Sequence, residues 1–253
     1  MERKAHALMI WGAVVAVAAI PRVAAAPSGV TISVIVTVAS DQAPSEQIQR
    51  SLDSLIPGGR TEVRFQARRD AVRAEVKSDL FGFPAGAIRL LKAGDEAEYV
   101  LDPVAKTFKK LSANSWAKDS DPPTIEVRSL PGRRTILSYA THGIVVTYRQ
   151  RVRRADRSGP DQAPQDVSVA TENWCTDAVA VPSRLIDLID SASRQARFAG
   201  QAVGQRCGLP LLSRSRMSVL PAVEIVSTVT SIDDRSPIPD NQFQIPSDYR
   251  EKR

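Results

Sequence analysis

One histidine decides whether this chain could run acid–base catalysis. The sequence has two histidines, His6 and His142, and His6 falls in an amino-terminal segment that is predicted below to be removed. A Ser-His-Asp triad would have to use His142, but no G-x-S-x-G turn is present to hold the serine. His142 stands beside Gly143 between two predicted strands, where turn or surface histidines are common. We therefore predict no catalytic residues and no enzyme, with an exported hydrolase as the weakest alternative.

The sequence also contains few residues that could bind a metal ion or a cofactor. Zinc sites draw on several His or Cys ligands, and this chain offers one remaining histidine and two cysteines, Cys175 and Cys207. Asp233, Asp234 and Asp240 could contact calcium, but their spacing does not match a calcium-binding loop, and acids in turns beside proline are the plainer explanation. We predict no metal and no cofactor. An even cysteine count in an exported chain favours a disulfide between Cys175 and Cys207, with a redox or metal pair as the alternative.

A row of basic residues is the one concentrated charge in the sequence. Arg149, Arg151 and Arg153 alternate along a predicted strand, so they project from the same face of the sheet. Such a row is either a solvated sheet face or a surface for anionic headgroups or an acidic partner, such as another envelope protein.

Large apolar residues give a second candidate site. Trp174, the loop pair Phe81 and Phe83, and the helix residues Leu185 and Ile189 are packing residues in one interpretation. In the other they contact an apolar ligand, since large apolar hollows are the default ligand sites of proteins.

The amino-terminal segment, residues 1–25, has the pattern of a cleavable secretory signal. Arg3 and Lys4 precede an apolar run from Ala7 to Ile20, and small residues follow, with the cut expected after Ala25. The run is shorter than the roughly 20 residues that a membrane-spanning helix needs. We expect a periplasmic or extracellular protein that is not lipid-anchored, because no cysteine lies near the cut, and that has no later membrane-spanning segment.

The remaining chain, 26–253, is long enough for one large domain. Removing the signal lowers the net charge from +6 to about +4, which does not favour a nucleic-acid partner. Val30 to Val38 alternates β-branched residues, and Glu62 to Arg68 with Val72 to Lys77 predicts a hairpin. A short helix is possible around residues 46–56, and apolar spacing from Leu185 to Ala199 predicts a helix that begins at Ser183 and ends at Gly200.

Further strands recur about every ten residues along the chain. They include 87–91, 98–101, 107–111, 125–130, 135–139, 143–152, 167–181, 209–219 and 222–232, with a proline-rich insertion near 113–134 and a tail around Phe243 and Tyr249 that packs back on the body. This spacing predicts a mainly β (α+β) domain, built as one large, mostly antiparallel sheet curled over one or two helices.

Three stretches carry a resemblance to a known family. They are residues 72–76 through 99–102, Glu172 to Asp177 followed by Val181-Pro182 and the helix, and Gly208 to Leu211 through 226–229 to Tyr249. In this order they resemble the bacterial domain of unknown function 4412, which is grouped with the LolA-like lipoprotein-carrier fold. The resemblance implies a half-barrel, strongly bent sheet with helices on its concave side, and a hollow that binds a lipid or acyl chain. It implies no catalytic residue. A scaffold protein with a filled core and no ligand is the alternative.

Overall fold

The computed structural model describes residues 29–40, 46–80, 82–92, 94–95, 97–112, 124–152, 165–190 and 207–252. The predicted signal segment, residues 1–25, lies outside these ranges, as do residues 113–123 of the predicted insertion, Phe81, Arg153 and the predicted helix beyond residue 190. Within the described ranges, no helix is both long and apolar enough to cross a bilayer.

Twelve strands and two α-helices make up the described fold. The strands are β1 Val30–Ser40, β2 Arg60–Ala67, β3 Ala71–Val76, β4 Ile88–Lys92, β5 Ala97–Asp102, β6 Thr107–Ser112, β7 Thr124–Ile136, β8 Tyr139–Val152, β9 Gln165–Thr176, β10 Leu209–Met217, β11 Leu220–Asp233 and β12 Arg250–Glu251. The helices are α1 Glu46–Leu55 and α2 Ser183–Asp190, and single 3-10 turns lie at Pro57–Gly59 and Asp240–Phe243.

All twelve strands belong to one sheet, in the order β12-β6-β5-β4-β3-β2-β1-β11-β10-β9-β8-β7. Every neighbouring pair is antiparallel except β12 and β6, which are parallel. The predicted fold class, mainly β with one large and mostly antiparallel sheet, is confirmed. The first strand pairs with β11 near the end of the chain, a contact that no local sequence pattern could predict.

One face of the sheet carries the main core. In β1, Val30, Ile32, Val34 and Val36 are buried while the residues between them are half-buried, as period-two alternation requires. The same buried cluster takes in apolar side chains of β2 and β3 and, from α2, Leu185, Leu188 and Ile189. The helix α2 therefore lies on this face of the sheet.

The position of α2 shows how strongly the sheet bends. While three of its side chains pack in the β1–β3 cluster, Ile186 packs in a second cluster with Ile144 and Val146 of β8. In the sheet β3 and β8 are six strand positions apart, about 29 Å if the sheet were flat. A helix is only about 10–12 Å wide with its side chains. The sheet must therefore curl around α2, which makes the α2 side the concave face.

The β7–β8 hairpin differs from the prediction. We expected separate strands at 125–130 and 135–139 with a turn near His142, but β7 runs through Pro131 and Gly132 to Ile136, with a register shift between Leu130 and Arg133. The turn falls at Leu137 and Ser138, whose φ angles are 49° and 69°. Two successive positive φ values are typical of a tight hairpin turn, and neither residue is the Gly or Asn that usually marks one.

The predicted insertion and the tail are partly described. Residues 124–134 of the predicted 113–134 insertion form most of β7. At the carboxyl end, Phe243 and Ile238 form a small buried cluster with Ala71 of β3, and Arg250–Glu251 adds to the sheet edge beside β6. The tail therefore packs back on the body of the sheet, as predicted.

The two cysteines form a disulfide that fastens β9 to the chain entering β10. Cys175 and Cys207 have Cα atoms 5.4 Å apart, within the usual range for a bridge. Both side chains are buried beside Ile144, Val146 and Ile186. The bridge therefore anchors the cluster on which the amino-terminal turn of α2 rests.

We predict that removing the disulfide destabilises the fold. The bridge closes a loop with a sequence separation of 32, which corresponds to roughly 3–4 kcal/mol in the chain-entropy treatment. The variant Cys175→Ser/Cys207→Ser should unfold at a lower urea concentration, with its free energy of unfolding reduced by about this amount, and reduced wild type should match it. Two free thiols in peptides of the unreduced protein, or equal unfolding midpoints, would contradict the prediction.

Candidate ligand site beneath helix α2

A small apolar cavity lies between α2 and the concave face of the sheet. Its volume is about 30 Å³, enough for one or two water molecules. Ten of its twelve lining residues are apolar, and Arg89 and Ser227 are the two polar ones. The lining residues are Val34, Val36, Val63, Phe65, Ala74, Val76, Leu80, Phe83, Arg89, Leu188, Ile189 and Ser227.

The helix α2 is held over this cavity by packing and by one arginine. Leu185 is fully buried and Ile186, Leu188 and Ile189 are 9% exposed or less, so these side chains form one wide apolar stripe on the helix, as packing against a sheet requires. Arg184 donates hydrogen bonds from Nη1 to the backbone carbonyls of Lys92 and, at 3.2 Å, Asp95. Lys92 is the last residue of β4, and Asp95 lies in the turn that connects β4 with β5.

The β4–β5 turn that receives Arg184 is itself fixed by the Asp95 carboxylate. Asp95 accepts hydrogen bonds from the Tyr99 hydroxyl at 2.5 Å and from the Ala97 backbone N–H at 2.9 Å. The Tyr99 hydrogen bond, followed by that from Ala97, lowers the pKa of the Asp95 carboxyl from its ordinary value. The carboxylate therefore stays ionised at neutral pH and holds the turn in the shape that meets Arg184.

A buried ion pair forms part of the cavity wall. The Nε atom of Arg89 donates to Oε1 of Glu98, and the two residues are 8% and 1% exposed. The Arg89 guanidinium also lies 5.2 Å from the centre of the Phe83 ring, a cation–π distance. The pair places charge beside an otherwise apolar hollow, where each partner depends on the other for its stability.

A strip of small polar residues crosses the concave face between the two apolar clusters. Paired residues on neighbouring strands share a face, and the pairing Val36–Ser227–Ser213–Asn173–Ile144 crosses from β1 to β8. Ser227 is the member that lines the cavity. On the same face, the Thr171 and Ser215 hydroxyls lie 3.0 Å apart and share one hydrogen bond.

Asn173 differs from these residues because one of its side-chain atoms has no hydrogen-bond partner. Its side chain is fully buried, and Oδ1 accepts a hydrogen bond from the Ser213 hydroxyl at 2.7 Å. Its Nδ2 has no partner, and it is the one buried side-chain N or O within the described part of the chain of which this is true. Sequence reasoning did not single out Asn173, because an Asn in a strand gives no signal of its own burial or pairing.

The structure separates the residues predicted to contact a ligand. Phe83 and Ile189 line the cavity, and Leu185 is buried in the core behind it. Trp174 does not line it: consecutive strand residues alternate, so Trp174 lies on the face opposite Asn173. There its Nε1 donates to Glu172 at 2.6 Å, and Arg134 stacks 4.0 Å from its ring centre. Phe81 lies outside the described residues.

The two arginines of the basic row that the structure describes, Arg149 and Arg151, each lie beside an acidic residue of a neighbouring strand. Arg149 lies 3.9 Å from a Glu126 carboxylate oxygen, and Arg151 Nε donates to Asp166 at 3.0 Å. Both arginines border an open depression of about 450 Å³, whereas Arg153 lies outside the described residues. Cross-strand ion pairs on an exposed face favour the solvated-face interpretation. Contact with an anionic surface stays a prediction.

His142 lies within β8 and not in a turn. Its Nδ1 is 3.8 Å from an Asp177 carboxylate oxygen, and its side chain is 39% exposed. Over the described ranges, no group of three or more His, Cys, Asp or Glu side chains is placed to hold a metal ion.

Comparison with known proteins gives remote structural neighbours. No protein-family model matches the chain, and no curated protein matches it. Membership in the family of domain of unknown function 4412 thus stays a prediction.

Three solved structures show what the chain is similar to. An uncharacterized conserved protein from Thermus thermophilus has 8% identity and a TM-score of 0.39, covering 89% of this chain and 90% of that one. The LolA superfamily protein NE2245 from Nitrosomonas europaea has 10% identity and a TM-score of 0.33, covering 86% and 90%. LprF from Mycobacterium bovis has 12% identity and a TM-score of 0.28, covering 83% and 90%. One of these neighbours, NE2245, is thus a LolA superfamily protein, at low identity to this chain.

Proposed function

We propose that this chain is a non-enzymatic, exported envelope protein that binds one lipid or acyl chain in the hollow beneath α2. The observation that carries the proposal is the cavity itself: ten apolar side chains surround it, and an amphipathic two-turn helix covers it. Export is supported by the signal pattern of residues 1–25 and by the Cys175–Cys207 disulfide, since such bridges persist in oxidising compartments.

The size of the cavity sets a condition on this function. A volume of about 30 Å³ is far too small for an acyl chain. A ligand must therefore replace α2, at least in part, and cover the apolar surface that the helix covers in this structure. The packing of α2 and the two hydrogen bonds of Arg184 are what binding has to overcome.

The energy of α2 packing indicates how long the ligand must be. Its four buried side chains, Leu185, Ile186, Leu188 and Ile189, each contribute about 1.5–3 kcal/mol by leaving water. Displacing them costs roughly 6–12 kcal/mol, an upper value because an unfolded or detached segment still buries some surface. At about 0.8 kcal/mol per buried methylene, a chain of about 8 to 15 methylenes offsets this cost. Ordinary membrane acyl chains meet the requirement.

The small cavity also favours the second candidate, a scaffold with a filled core and no ligand. In that case α2 is a permanent part of the core, and the protein acts through its surface on another envelope protein. The two candidates differ in one observable property, which is whether the hollow ever contains lipid.

We predict that the native protein carries lipid. Organic extraction of protein purified without detergent, followed by mass spectrometry, should release acyl chains in near-stoichiometric amount. The variant Ala74→Leu should carry less and should bind a fluorescent fatty acid at least about tenfold more weakly, because its side chain projects into the cavity. The control Ala170→Leu adds the same bulk at an exposed position of β9. Lipid-free wild type without saturable binding would favour the filled-core scaffold.

We further predict that Arg184 slows ligand entry. Arg184→Ala removes the hydrogen bonds to the Lys92 and Asp95 carbonyls and leaves the apolar contacts of α2 in place. At about 1 kcal/mol per hydrogen bond, the association rate of a fluorescent fatty acid in stopped-flow mixing should rise several-fold. Arg214→Ala removes the same charge from an exposed position of β10 and should leave the rate unchanged. Equal rates for all three proteins would show that α2 does not gate the hollow.

A further inference from the structure

A buried hydrogen-bond donor without an acceptor requires an explanation. Leaving such a group unsatisfied costs about 1–3 kcal/mol, and nearly all buried polar side-chain atoms in native proteins have a partner. Asn173 Nδ2 has none, although the residue is fully buried. Exchanging the amide oxygen and nitrogen does not help, because Ser213 can satisfy only one of them. One side of this amide therefore lacks a partner in either orientation, and in this structure that side is the Nδ2 donor.

The location of Asn173 connects it with the proposed ligand site. In the sheet β9 and β10 lie between β8 and β1, so the polar strip lies between the two apolar clusters that α2 bridges. From Asn173 the strip runs through Ser213 to Ser227, which lines the cavity. Three strand positions separate Asn173 from Val36, another lining residue, about 14 Å along the sheet. This distance is well within the length of one extended acyl chain.

We propose that Asn173 is the headgroup anchor of the hollow. With α2 displaced, its Nδ2 donates a hydrogen bond to an acceptor oxygen of the ligand, a carboxylate or ester carbonyl, while the acyl tail lies along the apolar cluster beneath α2. The inference rests on the proposed function and narrows it, since it assigns the ligand class as an acyl compound with an acceptor oxygen at its head. A free fatty acid and an acyl ester share this chemistry.

The polar residues next to Asn173 differ from it because they have hydrogen-bond partners, and this difference supports the assignment. Thr171 and Ser215 lie on the same face of the same two strands and share one hydrogen bond. Both are half-buried, and each hydroxyl has the other as a partner. Of the described residues in the strip, Asn173 alone combines full burial with a donor that has no acceptor. Asn173 therefore offers a ligand a directed hydrogen bond from a fully buried donor on the face that carries the apolar hollow.

The test compares three ligands of equal chain length on wild type and Asn173→Leu. Tetradecanoic acid and its methyl ester both present acceptor oxygens, whereas tetradecylamine in its charged form presents donors only. The affinities are measured by displacement of a fluorescent fatty-acid probe. Asn173→Leu should weaken the acid and the ester about tenfold, the equivalent of one hydrogen bond of about 1.4 kcal/mol, and should leave the amine within about twofold. The affinities of wild type for the acid and for the ester are also compared with each other. The ligand that binds more tightly indicates whether the source is a free fatty acid or an acyl ester.

Two further variants keep the result interpretable. Asn173→Leu/Ser213→Ala removes the Ser213 hydroxyl that would otherwise lose its acceptor, and it should show the same ligand pattern if Asn173→Leu folds poorly. Thr171→Val changes a polar residue on the same face whose hydroxyl already has Ser215 as a partner, and it should leave all three affinities unchanged. Equal loss for all three ligands, or no loss for any, overturns the anchor and leaves the proposed function standing. Failure of every ligand to bind wild type overturns both.

Discussion

The packing of α2 against both arms of the sheet is the contact on which the rest of the structure depends. A sheet of twelve strands has one apolar face that must leave water, and within the described residues α2 is the helix whose side chains belong both to the cluster that contains β3 and to the cluster that contains residues of β8. Because Leu185 and Ile186 belong to different clusters, the helix joins strands that a flat sheet would separate by about 29 Å. Curvature, the closed hollow and the position of the disulfide cluster all follow from this contact.

The same contact sets the conflict between stability and ligand binding. Leu188 and Ile189 of α2 help to line the hollow, and a volume of only about 30 Å³ is left beneath the helix. An acyl chain competes for the same apolar surface, with a comparable energy per unit of area. The hydrogen bonds of Arg184 to the β4–β5 turn, whose shape the Asp95 carboxylate fixes, add a directional interaction to this apolar packing. They determine the position of α2 as well as the strength of its attachment.

Local patterns in the sequence predict most of the elements but few of their partners. Alternation from Val30 to Val38 and the period change at Leu185 correctly predict β1 and the start of α2, because burial of one face leaves a periodic trace. The pairing of β1 with β11 leaves no such trace. The turn at Leu137 and Ser138 was missed because neither residue is a usual turn former. Trp174 lies on the face opposite the cavity because consecutive residues of a strand point to opposite faces. A change of register by one residue would reverse the face, so the sequence alone does not determine it. Asn173 could not be found, since an unsatisfied donor is a property of its surroundings.

Hydrogen exchange of the α2 backbone amides, with and without a saturating fatty acid, tests the central claim most directly. A detached two-turn helix is too short to be stable by itself in water, so amides of α2 should lose protection when ligand binds, while β1 and β2 keep theirs. Unchanged or increased protection of α2 at saturating ligand would contradict the account, because the ligand would then be bound somewhere other than beneath the helix.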